Sequence, residues 1–134
     1  AALPRFYDLG SKGFYGDEET TSFPSRSVAL GDGPLMPSGM IYHRALPHTW
    51  INAISSRIFG LDNEFSYRFS AAILGTLTIP LLFFLSLPLF GTSIALVASL
   101  LLAFSEWNIY TSRETRMYAP FRCFYVATGF SIWR

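Results

Sequence analysis

The chain has 134 residues and a formal net charge of +1, and 51% of its residues are hydrophobic. A net charge this small excludes the strong positive field of many nucleic-acid-binding proteins, so we expect no nucleic-acid partner. The single cysteine, Cys123, excludes an internal disulfide. The charged residues are spread too unevenly along the chain for an ordinary globular domain.

The first 68 residues contain two segments with helical patterns. Acidic residues open the segment 17–30, which favours a helix start there, and Pro24 predicts a kink within that helix. The segment 47–60 carries apolar residues at near-helical spacing and ends at Gly60. This pattern predicts an amphipathic helix that lies at a membrane interface.

A run of 37 residues, from 69 to 105, contains no charged residue. As one helix it would measure about 55 Å, whereas the hydrocarbon core of a bilayer is about 30 Å thick. The sequence LFGTS around Gly91 supplies a turn signal near the centre of the run. We therefore predict two membrane helices, 69–90 and 93–112, with a buried helical hairpin of a soluble protein as the alternative.

A further apolar run begins near Tyr118 and is interrupted by Arg122. We interpret it as the start of another membrane span, and we expect the chain to be a piece of a longer protein. Three regions follow: an external loop with juxtamembrane helices (1–68), a transmembrane hairpin (69–112), and an external turn with a truncated span (113–134). Because a hairpin returns to the side that it left, the loop and the external turn should face the same compartment.

Acidic and basic residues gather on that shared side, and the combination suits transfer of a group from a lipid phosphate. Arginines hold phosphates through bidentate hydrogen bonds, and a carboxylate can deprotonate an incoming hydroxyl. Structural roles compete with this interpretation, because acids favour a helix start and arginine stems snorkel at an interface. The residues concerned are Asp17, Glu18, Glu19, Arg44, Arg57, Arg68, Arg113 and Arg116.

Two other kinds of site are disfavoured. His43 and His48 are five residues apart, which does not align two imidazoles on one helix face, and no cysteine lies nearby to complete a zinc site. The glycine-rich stretch GDGPLMPSG lacks the lysine of a phosphate-binding loop. We assign no organic cofactor, and a divalent metal ion stays open.

Three stretches resemble the N-terminal part of a membrane glycosyltransferase of the GT-C class, which uses polyprenyl-phosphate-linked sugars. They are RFYDLGSKGFYGDEETT, GMIYHRALPHTWINAISSRIFGLDNEFSYRFSAAILGTLTIPLLFFL and SRETRMYA. Protein O-mannosyltransferases and the lipid A aminoarabinose transferase belong to this class. The resemblance runs from about Arg5 to Phe121. It is most specific at the Asp-Glu pair, at the entry to the following span and at the RMYA element.

The resemblance implies an all-α, multi-pass membrane protein with interfacial amphipathic helices in its first external loop. It also implies an inverting transfer of a sugar from a polyprenyl phosphate to a hydroxyl of a protein, lipid or glycan. By the same resemblance, the catalytic residues are Asp17, the base that activates the acceptor, and Glu18, which supports acceptor binding and the shape of the site. The residues that match positions near the donor phosphate are Arg44 (the weakest match), Arg68, Arg116 and Tyr118.

The sequence departs from the family pattern at Pro24, which interrupts the helix after the acidic pair, and at RALPHTW, which replaces a Pro-Pro-aromatic motif. The positive-inside rule would place the arginine-bearing side in the cytoplasm, whereas the family places its site outside. We follow the family. It implies a multi-pass protein of the cell membrane in a prokaryote, or of the ER membrane in a eukaryote, with the active-site loop on the non-cytoplasmic side.

Two other classes of function stay open: a non-catalytic membrane subunit that binds lipid or a partner, and a fragment of a transporter. An enzyme requires Asp17, whereas a scaffold does not. Transporters more often place charges near the middle of the membrane, and here the charges lie at the ends of the spans. The resemblance also implies that so short a chain is inactive alone, because most of the family's donor cavity lies elsewhere.

Overall fold

The computed structural model describes residues 1–133, apart from the side chains of Phe130 and Trp133. The described helices are α1 (Leu3–Phe6), α2 (Glu18–Leu30), α3 (Leu46–Phe59), α4 (Glu64–Phe104), α5 (Glu106–Thr111) and α6 (Tyr118–Trp133). Within residues 1–133, β structure is limited to one isolated bridge between Leu35 and Ile41. The predicted all-α class is confirmed.

Gly91 divides the long helix α4 into two parts, 64–90 and 92–104. The helix is long and apolar enough to cross a membrane, and a stretch of 18 residues within it has a mean hydropathy of 2.2. At Gly91 the backbone adopts φ 80° and ψ 172°, a conformation that side-chain-bearing residues avoid. The interruption falls in the turn that the LFGTS signal predicts.

The limits of the two predicted membrane helices differ from those in the structure. α4 begins at Glu64, ahead of the predicted residue 69, because the side chain of Asn63 accepts a backbone hydrogen bond and caps the first turn. The second part ends at Phe104 rather than at 112 because Ser105 has extended backbone (ψ 117°). The hydroxyl of Ser105 then caps α5 by accepting a hydrogen bond from the backbone of Asn108.

The two parts of α4 lie side by side. Residues from 79–84 and from 96–104 line a shared cavity of about 390 Å³. Ala95, Ser99 and Ala103 recur every four residues along the second part and are buried. Small residues at this spacing let two helices approach closely, so the chain folds back on itself after Gly91.

The return of the chain brings α5 against the first part of α4. Gly75 lies so close to Ser112 that a β-carbon added to this glycine would overlap the serine hydroxyl. Ser112 itself is fully buried. Because of this close approach, residues 112–118 lie near the start of α4 and near the loop before α2.

α3 turns its polar face inward and its apolar face outward. Trp50, Ile54 and Ile58 are more than half exposed, and α2 and α4 contact the opposite face. The buried residues of α3 are His48, Thr49, Asn52, Ala53, Ser55 and Ser56. A soluble protein's helix shows the reverse arrangement, and an outward apolar face suits a membrane interface. The predicted helix 47–60 is confirmed with the bounds Leu46–Phe59.

α2 runs from Glu18 to Leu30 and ends at Gly31, whose φ is 104°. The helix continues through Pro24, so the predicted interruption at this residue is wrong, whereas the predicted kink stays untested. Pro24 is buried, and α2 packs along α3. Packing of this kind supplies most of the stability of a helix, and here it compensates for the one backbone hydrogen bond that proline removes.

Candidate active site

Glu18 and Arg68 form a buried ion pair between the first residue of α2 and the second turn of α4. Nη2 of Arg68 lies 2.7 Å from Oε2 of Glu18, and Nε lies 2.9 Å from Oε1. The two side chains are only 5% and 7% exposed. This fork-to-fork geometry is the strong form of an arginine–carboxylate pair.

The remaining N–H groups of Arg68 are also used. They donate to the backbone carbonyls of Leu9, Lys12 and Gly13, at 3.1, 2.6 and 3.0 Å. Together with the two bonds to Glu18, these account for all five N–H donors of the guanidinium. Arg68 therefore has no donor left for a phosphate, contrary to its predicted role in donor binding.

The carboxylate of Glu18 likewise has all its hydrogen-bonding positions occupied. Oε2 accepts a hydrogen bond from the backbone of Tyr15 at 3.1 Å, and Oε1 accepts one from the backbone of Thr115 at 2.8 Å. Burial raises the pKa of Glu18, but the bonds from Arg68 and from these backbone N–H groups outweigh burial and hold the pKa below its ordinary value. With two donors on each oxygen, Glu18 has no site free for an acceptor hydroxyl, which does not fit the predicted role in acceptor binding. Its predicted role in the shape of the site stays a prediction.

Asp17, one residue earlier, forms a far more open ion pair with Arg116. Nη2 of Arg116 lies 3.0 Å from Oδ2 of Asp17, and the side chains are 14% and 74% exposed. Arg116 also donates to the backbone carbonyl of Asp17 and to the hydroxyl of Thr20. Its guanidinium lies 5.7 Å from the ring centroid of Tyr118. The structure thus brings Asp17, Arg116 and Tyr118 together.

Asp17 does not act as a helix cap through its side chain. It occupies the N-cap position of α2, but its carboxylate makes no capping hydrogen bond. The alternative in which the acidic residues favour the helix start through its dipole needs no such bond, so it stays open at Asp17. The carboxylate stays available for another partner.

The other arginines on this side have different surroundings. Arg44 is exposed, and within the described residues no hydrogen bond or ion pair engages its side chain. Arg57 donates to two carbonyls at the end of α2, and Arg113 donates to the carbonyls of Pro4 in α1 and of Tyr7 just after it. Arg57 and Arg113 thus hold the backbone together, and Arg44 is left available for a ligand.

His48, whose spacing from His43 argues against a zinc site, belongs to this region as a buried single histidine. It is 3% exposed, and its Nε2 lies 3.2 Å from the amide nitrogen of Asn52. Asn52 uses its oxygen to accept a hydrogen bond from Ser70, so its nitrogen donates to His48. Nδ1 of His48 therefore carries the hydrogen, and it has no acceptor within residues 1–133.

The protonation of His48 follows from the same surroundings. Burial and, secondly, the charge of Arg116 lower its pKa from 6.5 to about 4. His48 is therefore neutral at pH 7 and presents an unpaired N–H near Arg116. Only its burial reveals this property, and nothing in the spacing of the two histidines indicates it.

A cavity of about 290 Å³ adjoins the buried pair. Glu18 and Arg68 line it together with Lys12, Tyr110, Arg113 and other residues, but Asp17 and Arg116 do not. In the described part of the chain, no group of three His, Cys, Asp or Glu side chains could hold a metal ion. The described residues therefore supply no three-ligand metal site by themselves.

Outward apolar helices, an inward polar face and an ion pair with an exposed carboxylate together indicate a helical membrane protein with a candidate site near the ends of its apolar helices. The family described as dolichyl-phosphate-mannose-protein mannosyltransferase matches residues 43–134. This match covers more than half of the chain, so the chain belongs to that family of glycosyltransferases. No curated protein and no solved structure matches it.

The match confirms the predicted resemblance to GT-C glycosyltransferases. It includes Arg44, Arg68, Arg116 and Tyr118, and it begins after Asp17 and Glu18. The acidic pair is therefore tied to the family region through its contacts with Arg68, Thr115 and Arg116 rather than through the match itself.

Proposed function

We propose that the chain is part of an inverting glycosyltransferase that moves a sugar from a polyprenyl phosphate to an acceptor hydroxyl on the non-cytoplasmic side of the membrane. The description of the matching family names dolichyl phosphate mannose and protein. A mannosyl donor and a protein acceptor are therefore the first substrates to test. The observation that carries the proposal is the open Asp17–Arg116 pair.

Asp17 is the proposed base. Arg116 engages one of its carboxylate oxygens, Oδ2, and no hydrogen bond from a described residue engages the other. In the proposed reaction the acceptor oxygen attacks the anomeric carbon while its proton passes to Asp17. The bond from that carbon to the phosphate oxygen breaks, and the phosphate leaves with the bonding electrons. A single displacement of this kind inverts the anomeric centre.

The negative charge that develops on the leaving phosphate requires nearby positive charges or N–H donors, and several groups near Asp17 can supply them. Arg116 is adjacent to the base, and Tyr118 lies against its guanidinium. His48 offers its unpaired N–H near Arg116. Arg44 lies just before α3, the helix whose first turn carries His48.

Glu18 and Arg68 are proposed as positioning residues. Glu18 follows Asp17, and it accepts a hydrogen bond from the backbone N–H of Thr115, which precedes Arg116. The buried pair thus fixes the position of Asp17 relative to Arg116. A shift of one residue on either side would separate the base from its arginine.

The test is Asp17→Asn in the complete protein, which keeps the shape of the side chain and removes the base. General-base catalysis contributes typically about 10²- to 10⁴-fold, so turnover should fall by that factor while donor binding survives. The measurements are transfer of labelled mannose from a polyprenyl phosphate to a protein acceptor and, separately, binding of that donor.

Asp62→Asn is the matched control. Asp62 is also an exposed aspartate paired with an arginine, with Oδ1 2.7 Å from Nη2 of Arg26 and a side chain that is 77% exposed. This variant should keep normal turnover. Normal turnover in Asp17→Asn, or an equal loss in both variants, would contradict the role of Asp17 as the base.

A further inference from the structure

Two cavities adjoin along the exposed side of α2 and form one groove. The first measures about 230 Å³ and lies between α2 and the loop before α4, and the second measures about 210 Å³ and lies between α2 and the loop that follows it. Phe23 and Arg26 line both cavities. From Glu19 to Leu30 the groove follows α2 for about 17 Å, the length of about five residues of an extended polypeptide.

The walls of the groove carry apolar side chains. Phe14 packs edge-on against Tyr67 in the first cavity, with ring centroids 5.7 Å apart. Phe23 is 41% exposed, and Leu30 is 59% exposed. Exposed apolar side chains that line a concavity together with a few polar groups are typical of a binding surface. The groove is therefore shaped to hold a chain rather than a single small ion.

The charges at the groove are mainly negative. Four carboxylates line it, and Arg26 is the one cationic residue of the lining. Arg26 is paired with Asp62, with Nη2 2.7 Å from Oδ1, so these two charges offset each other. Glu19, Asp32 and Glu64 supply the other carboxylates, and no hydrogen bond or ion pair among the described residues engages them. These negative charges are left for a partner.

The groove is separate from the proposed site of transfer. Asp17 and Thr20, the residues of α2 that contact Arg116, line neither cavity. Glu19 and Phe23 are four residues apart, so they share one face of α2. A partner in the groove therefore lies on another face of the helix than the proposed base.

We propose that this groove is a docking site for a basic segment of a partner polypeptide. An extended segment would place its apolar side chains against the aromatic walls, and its lysine or arginine side chains would meet the unpaired carboxylates. Cationic groups are also attracted to the faces of aromatic rings, and Phe14 and Phe23 supply such rings. A metal cation fits less well, because the described residues supply no group of three ligands.

The test measures binding of two fluorescent peptides to the complete protein in a neutral detergent at low ionic strength. One peptide has five residues that alternate lysine and valine, starting with lysine, and the other has glutamine in place of each lysine. The lysine peptide should bind about 5- to 50-fold more tightly, because each exposed ion pair adds a small factor. Salt should reduce this difference. Phe23→Ala should weaken both peptides by about 3- to 10-fold, because apolar contact is lost.

The carboxylates are tested by substitution. Glu64→Gln should weaken binding of the lysine peptide by about 2- to 5-fold, and the addition of Glu19→Gln should weaken it by a similar factor again. Binding of the glutamine peptide should not change in these variants.

Glu106→Gln is the matched control, because Glu106, like Glu64, is the first residue of a helix but lines neither cavity. This variant should bind both peptides as wild type does. Equal affinity for the two peptides, unchanged binding in the variant with both Glu19→Gln and Glu64→Gln, or an equal loss in Glu106→Gln would overturn the proposal.

Discussion

Asp17 with Arg116 and Glu18 with Arg68 are two carboxylate–arginine pairs whose acids are neighbours in the chain. The Glu18–Arg68 pair is buried, and its hydrogen-bonding positions are filled by each other and by backbone groups. Asp17 is 74% exposed and keeps one oxygen free of described partners. The comparison shows that exposure and unused hydrogen-bonding capacity, rather than charge, distinguish a candidate base from a structural ion pair.

The difference arises from what surrounds each arginine. The loop before α2 wraps three carbonyls around Arg68, which removes it from water. Arg116 lies after the return of the chain from α5, where its neighbours are the first residues of α2 and the ring of Tyr118. The Glu18–Arg68 pair therefore stabilises the fold, and the fold in turn positions the Asp17–Arg116 pair.

The largest effect is expected for Arg68→Ala. Removing one partner of a buried ion pair leaves the other charge uncompensated, and the cost is about 3–5 kcal/mol of folding free energy. Three backbone carbonyls would lose their donor as well. The measurement is thermal unfolding of the complete protein in detergent. Arg26→Ala, which removes a largely exposed pair with Asp62, should cost about 0–1 kcal/mol. Equal losses in the two variants would contradict the distinction.

The pH dependence of stability should reveal that His48 is buried in its neutral form. This residue lies near the Asp17–Arg116 pair. Its folded pKa of about 4 is below the ordinary 6.5, so the unfolded state binds more protons between these values. The stabilisation from the neutral imidazole is therefore complete above about pH 6.5 and is lost as the pH falls towards 4, by about 3 kcal/mol.

The measurement is the unfolding midpoint of wild type and His48→Gln between pH 4 and pH 7. The midpoint of wild type should fall more steeply with acid than that of His48→Gln. His43→Gln, at an exposed histidine, should follow wild type. Glu18, whose pKa is lowered, adds a further loss below about pH 4.5 in all three proteins. Parallel curves for wild type and His48→Gln would show that His48 is not buried in its neutral form.

Gly75→Ala should disturb both ion pairs, because Ser112, which packs on Gly75, lies in the same backbone segment as Thr115 and Arg116. The added methyl group would overlap the buried side chain of Ser112, and overpacking of this kind costs about 1–3 kcal/mol. A displaced Ser112 would also shift Thr115 and Arg116. Thermal unfolding tests this, with Gly129→Ala as control, because a β-carbon there would lie at an ordinary 3.5 Å from Leu85. A Gly75→Ala protein as stable as Gly129→Ala would contradict the close packing.

The smallest effect on stability is expected for Arg116→Gln. Asp17 is 74% exposed, but Arg116 itself is only 14% exposed and also donates to the hydroxyl of Thr20. The loss of Arg116 should therefore cost about 1 kcal/mol of folding free energy, less than the loss of Arg68 from its buried pair. Affinity for a polyprenyl-phosphate sugar should nevertheless fall by about 10- to 100-fold, because a charge-assisted contact to phosphate is lost. A large loss of stability with unchanged donor affinity would make Arg116 a structural residue like Arg68.

The helical segments and the proximity of the acidic residues to the RMY element could be predicted from the sequence. Apolar length and the turn at Gly91 predict a chain that folds back, and the fold-back brings residues 113–118 near residue 17. Charge spacing could not predict which acid is saturated. That depends on the carbonyls of Leu9, Lys12 and Gly13, which lie in an irregular loop without a periodic pattern.

The buried polar groups were also beyond prediction from the sequence. His48 lies on a helix whose apolar residues face outward, and a pattern of apolar residues indicates an amphipathic helix without indicating which face packs against the protein. Arg5 is four residues from the first residue of the chain, and only its contact with the end of α4 shows that it is buried. Both depend on tertiary packing between distant segments.

The most direct test of the distinction between the two acids is turnover per folded molecule in Asp17→Asn and Glu18→Gln versions of the complete protein. We predict that Asp17→Asn folds in normal yield and loses about 10²- to 10⁴-fold in turnover. Glu18→Gln should fold in lower yield, with a lower unfolding midpoint, and each folded molecule should keep turnover within about tenfold of wild type, since one charge-assisted bond is weakened rather than a base removed. The reverse pattern, with Glu18→Gln stable but inactive and Asp17→Asn active, would contradict the assignment of Asp17 as the base.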